Sequence, residues 1–201
     1  MHVAIEKILP IAVEAGNAIM GVYNDPALAG QSISKDDNSP LTLADQRSHE
    51  IIVDKLKEVL PSTPILSEEG AHMDFSERKA WDKFWLVDPL DGTKEFINRN
   101  GEFTVNIALI DQKRPVLGVI YVPAKGVMYY GIVGEGAFKK EKGGDFTKIS
   151  VNQLAQPKVA VKSKSHSSAA DEELLEKLGV SEFISVGSSL KFCMVAEGKA
   201  D

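Results

Sequence analysis

The chain has 201 residues, a formal net charge of −6, and a composition that is 43% hydrophobic and 26% charged. That balance can bury a core and excludes a disordered tail, a collagen or a coiled coil. The acidic surplus, with a pI of about 5.3, offers no basic face to a nucleic-acid polymer, yet permits a small anionic substrate if a bound metal supplies local positive charge.

The first residues, Met1 to Lys7, lack the basic, apolar and small-residue regions of a signal peptide. From Ile5 the apolar residues recur at helical spacing: Ile5, Ile8, Leu9, Ala12, Ala15, Ile19 and Val22 share one face. Pro10 inside that pattern predicts a kink, or a start one turn later. The polar, turn-rich stretch from Asn24 to Pro40 reads as an exposed loop or hairpin. A second helix follows, with Thr42 as N-cap, Asp45 three residues on, a buried side of Ile52, Leu56, Val59 and Leu60, and Pro61 as its stop.

Beyond Pro61 the period changes. Ile65–Leu66, Phe84–Val87, Phe103–Ile110, Val116–Val122 and Val127–Ile132 read as strands, with turn residues spaced as in an antiparallel sheet. Lys139 to Gly144 reads as a surface hairpin tip. Near Gln153 to Lys158 the pattern shifts to alternating strands and helices: strand Val159–Val161, helix Asp171–Leu178, strand Phe183–Val186, helix Ser189–Ala196. The expected division is therefore an N-terminal α+β unit over 1–156 and the start of a smaller, incomplete α/β unit over 157–201. The single Cys193 excludes an internal disulfide framework and fits a reducing compartment, with a buried thiol in the core. No apolar run approaches the roughly 18 residues of a membrane helix. The expected location is the cytoplasm, at most peripheral to the inner membrane.

The sharpest feature is Trp85-Leu86-Val87-Asp88-Pro89-Leu90-Asp91-Gly92-Thr93. An apolar strand is expected to end at Asp88, where Pro89 stops it, and Gly92 permits a tight turn into a short helix near Thr93. In such a turn the two carboxylates can face one side, with the free N–H groups of Gly92 and Thr93 beside them. Carboxylates with a helix N-terminus suit a divalent metal holding a phosphate; the plain alternative is that Asp88 and Asp91 cap a turn. An EF-hand fails because Leu90 stands at the third position. A phospho-aspartate mechanism fails because Pro89 stands where its nucleophile is needed. Leu66-Ser67-Glu68-Glu69-Gly70 again ends a short strand in acid. Asp45, Glu68, Asp88 and Asp91 thus each lie at an element end, and such a carboxylate group is costly without a cation. His2, His49 and His72 show no zinc-ligand spacing.

With these motifs in order, Ser39 to Asp45, Ser67-Glu68-Glu69 and Trp85 to Thr93, the chain resembles the inositol monophosphatase superfamily of lithium-sensitive, Mg²⁺-dependent phosphatases. Within it the chain looks like the bacterial 3′(2′),5′-bisphosphate nucleotidases of sulfur assimilation, through Lys94-Glu95-Phe96-Ile97, Asn100 to Asn106, Ser163-Lys164-Ser165-His166 and Gly187-Ser188-Ser189-Leu190-Lys191-Phe192. The resemblance implies a sugar-phosphatase fold, an αβαβα layered sandwich that combines an antiparallel sheet and two long helices with a smaller α/β part. It implies Mg²⁺, two or three ions, on Glu68, Asp88, the Leu90 carbonyl and Asp91, with Asp45 and Thr93 orienting the attacking water. Glu68, Leu90, Asp91, Gly92, Thr93, His166, Ser188 and Lys191 would contact substrate. The implied reaction removes the 3′-phosphate of adenosine 3′,5′-bisphosphate by metal-activated water, without a phosphoenzyme. Its partner is a small nucleotide rather than a nucleic-acid polymer, and the protein would be a monomer or homodimer. Inositol or sugar monophosphatase activity is the alternative within the class, and a non-catalytic binding remnant the alternative outside it. Relatives also carry a later Trp-Asp motif with a further metal ligand, which lies beyond the Gly198-Lys199-Ala200-Asp201 end of this sequence.

Overall fold

The computed structural model describes residues 2–28, 40–71, 73–153, 158–164, 169–180 and 182–201. Two long helices come first, α1 (His2–Tyr23) and α2 (Pro40–Val59), packed on each other and on one face of a seven-stranded sheet. The strands run in sequence order: β1 (Ile65–Ser67), β2 (Lys83–Asp91), β3 (Thr104–Asp111), β4 (Arg114–Val122), β5 (Val127–Ile132), β6 (Gly136–Lys140) and β7 (Thr147–Ile149). Short helices α3 (Phe75–Arg78) and α4 (Thr93–Ile97) flank β2. A second sheet of two parallel strands, β8 (Val159–Ser163) and β9 (Glu182–Val186), is accompanied by helices α5 (Ala169–Lys177) and α6 (Leu190–Ala196). The mixed α/β architecture is the expected one.

The helical face read from the sequence is the buried one. Ile8, Ala12, Ala15 and Ile19 of α1 and Ile52 and Leu56 of α2 are fully enclosed, against Trp85, Val87, Ile107, Leu109, Leu117 and Val119 of the sheet. Alternation along the strands leaves their other residues for the opposite face, where α6 sets Leu190 and Cys193 against Val122 and Tyr129.

Four local expectations are corrected. α1 starts at His2 and runs through Pro10, whose ring sits on the exposed side, so the proline delays no start. α2 begins at Pro40, two residues before Thr42, because proline suits the first turn, where its missing N–H is not needed. The large sheet is not wholly antiparallel, since the short edge strand β1 pairs with β2 in parallel. β6 and β7 extend the sheet into the stretch read as a hairpin tip, and Lys139 and Lys140 lie in β6 rather than in the turn. Most of the Asn24 to Pro40 loop lies outside the described residues. Among the described residues no helix is long and apolar enough to cross a membrane.

Gly16 is where α1 comes closest to the sheet: a Cβ there would lie 2.5 Å from the Tyr121 ring. Gly16→Val is expected to cost about 1–3 kcal/mol by overpacking and to lower the melting temperature by several degrees. Gly21→Ala, on the same helix with nothing within 4 Å, is expected to hold or raise it. Thermal denaturation of the two variants checks both.

Candidate active site at the ends of β1 and β2

The parallel pairing sets Ser67 opposite Val87, so Glu68 and Asp88 follow at equivalent positions on neighbouring strands. The Glu68 N–H donates to the Val87 carbonyl at 3.1 Å and carries the pairing one residue further. Two carboxylates at the ends of adjacent strands stand about one strand spacing, ~4.8 Å, apart in backbone.

β2 does not stop at Asp88. Asp88 pairs with Asn106 and Asp91 with Thr104, so three steps along β2 match two along β3. The extra residue is a β-bulge, which lets β2 carry Pro89 where a regular ladder would need its N–H. The bulge also changes parity. In an unbroken strand, residues three apart face opposite sides. Here Asp88 and Asp91 lie opposite Asn106 and Thr104, which are two apart and therefore share a face. The sequence reading assigned that shared side to a turn; it arises within the strand.

α2 is tied to both strand ends. Ser48 Oγ donates to the Pro89 carbonyl at 2.8 Å, fully buried, and His49 Nδ1 shares a 2.8 Å hydrogen bond with Ser67 Oγ, the residue before Glu68. Asp45 lies one turn earlier on the helix, three residues from Ser48 and four from His49, and is 4% exposed. Its Oδ1 is buried without a hydrogen bond of its own, although the residue makes other interactions. Ser48 and His49 were missed in the sequence, since nothing in Arg47-Ser48-His49-Glu50 departs from an ordinary helix face.

After Asp91 the chain turns at Gly92, with φ 95° and ψ 50°, a left-handed conformation that favours glycine. Thr93 then opens α4. Phe96 of that helix is buried in a ring cluster with Tyr23 and Phe103, centroids 5.0–5.4 Å apart, and Arg99 stacks over Tyr23 at 4.3 Å. The aromatic anchor, far from the carboxylates in sequence on the Tyr23 side, fixes where Thr93 stands.

The segment 187–191 docks on this corner from the other side. Gly187 N–H donates to Glu102 Oε2 at 3.0 Å, and Lys164 Nζ reaches the same oxygen at 3.3 Å. Ser188 is buried in a left-handed conformation, φ 49°, with its Oγ 3.1 Å from Thr104 Oγ1. Ser189 donates to Asp91 Oδ2 twice, from N–H at 2.7 Å and from Oγ at 2.8 Å. Lys191 Nζ donates to the Ser188 carbonyl at 2.9 Å. Asp45, Glu68, Asp88, Leu90, Asp91, Gly92, Thr93, Ser188 and Lys191 thus belong to contiguous elements of one corner, while His166 lies outside the described residues.

Among the described residues, no three His, Cys, Asp or Glu side chains close around a single point. The donors nonetheless fit a hard divalent cation in kind, being carboxylates with backbone carbonyls and no thiol, and the buried Asp45 Oδ1 is an oxygen of the same type. A groove of about 1110 Å³ reaches the corner along the α6 side of the sheet, with Glu68, Asp88 and Ser189 at its rim. Its walls are mostly apolar, among them Leu86, Ala108 and Ile120, and its polar groups gather at the Glu68–Asp88–Asn106 end, so the polar corner, not the groove, is the candidate site.

With this fold and corner in place, residues 4–201 match the inositol monophosphatase family, and the chain belongs to that family. The 3′(2′),5′-bisphosphate nucleotidase CysQ of Escherichia coli O157:H7 is 50% identical over 196 residues, which span 98% of this chain and 78% of that one. The protein of the same name from Buchnera aphidicola is 43% identical over 98% of this chain and 72% of its own. Among solved structures, CysQ from Bacteroides thetaiotaomicron superposes with a TM-score of 0.85 at 43% identity, covering 98% of this chain and 77% of that one. The suhB protein of Bartonella henselae gives 0.74 at 25% identity over 98% and 73%.

α6 is held in place by a largely buried polar group. Glu197, just after it, accepts from Lys139 Nζ at 2.8 Å and from Tyr129 Oη at 3.3 Å. Burial, reinforced by the Glu197 charge, pushes the Cys193 thiol from 9.0 up to about 12, and raises the Tyr129 phenol as well. Burial alone would lower Lys139, but its hydrogen bonds to Glu141 and Glu197 raise it overall. In all three groups the folded state holds its proton more tightly than the unfolded one, so unfolding releases protons in alkali. Stability is therefore fully present below about pH 9 and falls as pH rises toward 12. Urea midpoints between pH 8 and 10.5 are expected to decline, and Cys193→Ala to flatten part of that decline.

Proposed function

We propose that the protein is a Mg²⁺-dependent phosphomonoesterase that removes the 3′-phosphate of adenosine 3′,5′-bisphosphate, leaving AMP and phosphate. The observation that carries this reading is the junction of the Glu68–Asp88–Asp91 corner with the 187–191 turn, which sets a lysine beside a metal-type donor set. The relatives named above, at 43–50% identity, are bisphosphate nucleotidases by name.

In this reading Glu68, Asp88, Asp91 and the Leu90 carbonyl would hold Mg²⁺, two or three ions, which would supply Lewis acidity and offset the phosphate charge. Asp45, buried beside the strand ends, accepts the proton of the attacking water, and Thr93 orients it. The N–H groups of the Gly92–Thr93 turn face the phosphate oxygens. Ser67 Oγ is hydrogen-bonded to His49 Nδ1 at 2.8 Å, but in this reading that pair fixes the strand end, and the phosphoryl group passes directly to water without a phosphoenzyme. Lys191, released from the Ser188 carbonyl, pairs with the second phosphate, and Ser188 and His166 line the nucleotide side. Residues 1–156 carry the metal corner and 157–201 the nucleotide side, and the enzyme works in the cytoplasm. An inositol or sugar phosphatase would share the metal corner and have no use for Lys191.

Phosphate release from adenosine 3′,5′-bisphosphate and from inositol 1-phosphate, with and without Mg²⁺, tests the reading. Release from the bisphosphate, dependent on Mg²⁺, is expected; turnover of the inositol ester alone would overturn the nucleotidase assignment. Lys191→Ala is expected to weaken bisphosphate turnover tenfold or more through loss of a charge-assisted contact, and to spare simple phosphomonoesters. Asp45→Asn is expected to lower kcat by about 10²–10⁴.

A further inference from the structure

We infer that Ser189 is a positioning residue for the Asp91 carboxylate, and that the 187–189 turn is built to deliver it. Resting on the reading of Asp91 as a metal ligand, the inference adds a residue outside the set read from the sequence.

Both donors of Ser189, the backbone N–H and the hydroxyl, converge on the same oxygen, Asp91 Oδ2, at 2.7 and 2.8 Å. Two bonds to one oxygen fix the carboxylate plane and leave Oδ1 as the oxygen offered to a cation. Ser189 is the N-cap residue of α6, where a serine hydroxyl ordinarily closes back on its own helix, and here it makes no such cap. The hydroxyl has been diverted 98 residues away in sequence.

The rest of the turn is fixed residue by residue toward the same end. A Cβ on Gly187 would lie 2.3 Å from Glu95 Cγ, so only glycine fits there, and its N–H is taken by Glu102. Ser188 adopts the left-handed region that non-glycine residues seldom occupy, and its hydroxyl against Thr104 holds it there. That φ reverses the chain between Gly187 and Ser189 and aims both Ser189 donors at β2. Thr104 is the ladder partner of Asp91, so Ser188 and Ser189 grip facing residues of adjacent strands. Lys191 bonds the carbonyl of Ser188, which places the expected nucleotide contact on the same rigid turn. One short segment thus sets both the orientation of a metal-side carboxylate and the origin of a substrate-side lysine.

The experiment is a calorimetric titration of Mg²⁺ alone into the full chain and its Ser189→Ala, Ser189→Thr and Asp91→Asn variants, with melting in EDTA as the check on folding. Removal of one partner behind a ligand typically costs 10–100-fold in metal affinity. Ser189→Ala is expected to weaken Mg²⁺ about tenfold, Ser189→Thr, which keeps the hydroxyl, to bind within about threefold of the parent, and Asp91→Asn to lose most binding. Should Ser189→Ala melt lower in EDTA yet bind Mg²⁺ like the parent while Asp91→Asn does not, Ser189 is merely packing and the inference fails alone. Equal weakening in the alanine and threonine variants would also overturn it, since the hydroxyl would then be irrelevant. Parent-like Mg²⁺ binding by Asp91→Asn would remove the ligand reading and the inference together.

Discussion

Everything at the corner depends on one extra residue in β2. The bulge between Asp88 and Asp91 converts an odd spacing into a shared face, so that two carboxylates three apart stand beside each other. A regular ladder would send one of them into the apolar core with Val87, where an ionised carboxylate is not tolerated without a partner. The bulge leaves a buried carbonyl at Pro89 outside the regular pairing, and Ser48 of α2 accepts the task of satisfying it. That single hydrogen bond brings Asp45, one turn earlier, to the same place. Register, helix docking and the third carboxylate follow from one irregularity.

This explains which parts of the molecule were legible in the sequence. The two helices and five strands followed from apolar periodicity, because each buries one continuous face and the burial dictates the pattern. β6 and β7 were missed because they form the outer end of the sheet, where Gly136–Lys140 is at most half-buried and the edge strand Thr147–Ile149 is mostly exposed, so both carry lysines and little burial is demanded. The parallel pairing of β1 was hidden for a related reason: three half-buried residues carry no directional signal. The metal-side carboxylates were legible as a motif, but the bulge that aligns them was not, since Pro89 reads equally as the end of a strand.

The residues that organise the site from a distance were the least legible. Ser48, His49 and Ser189 are polar residues in helical or turn contexts, where solvation, and for the serines capping, accounts for them. Their roles come from partners 41, 18 and 98 residues away, and a spacing rule built on i, i+3 or i, i+4 neighbours has no access to such pairs. Ser188 shows the same limit in reverse. It stands in the stretch that pointed to a nucleotide, yet its hydroxyl is spent on Thr104 and on sustaining a left-handed backbone.

The C-terminal turn is over-determined where it meets the corner and again at the far end of its helix. At one end it is held by Glu102, Thr104 and Asp91. At the other, Glu197 is locked to Lys139 and Tyr129 of the sheet, with the neutral Cys193 packed between. A side chain left in a strained conformation persists only when its surroundings over-determine it. Ser188 meets that condition because α6 cannot slide: moving the helix would break an ion pair that is almost wholly shielded from water and leave Glu197 to its more exposed partner Lys199. The polar lock on the sheet therefore underwrites the geometry of the turn, although neither Lys139 nor Glu197 touches the corner. Rigidity at the site is supplied by a buried charge pair at the far end of a seven-residue helix, and the strain is stored where the chemistry needs fixed donors.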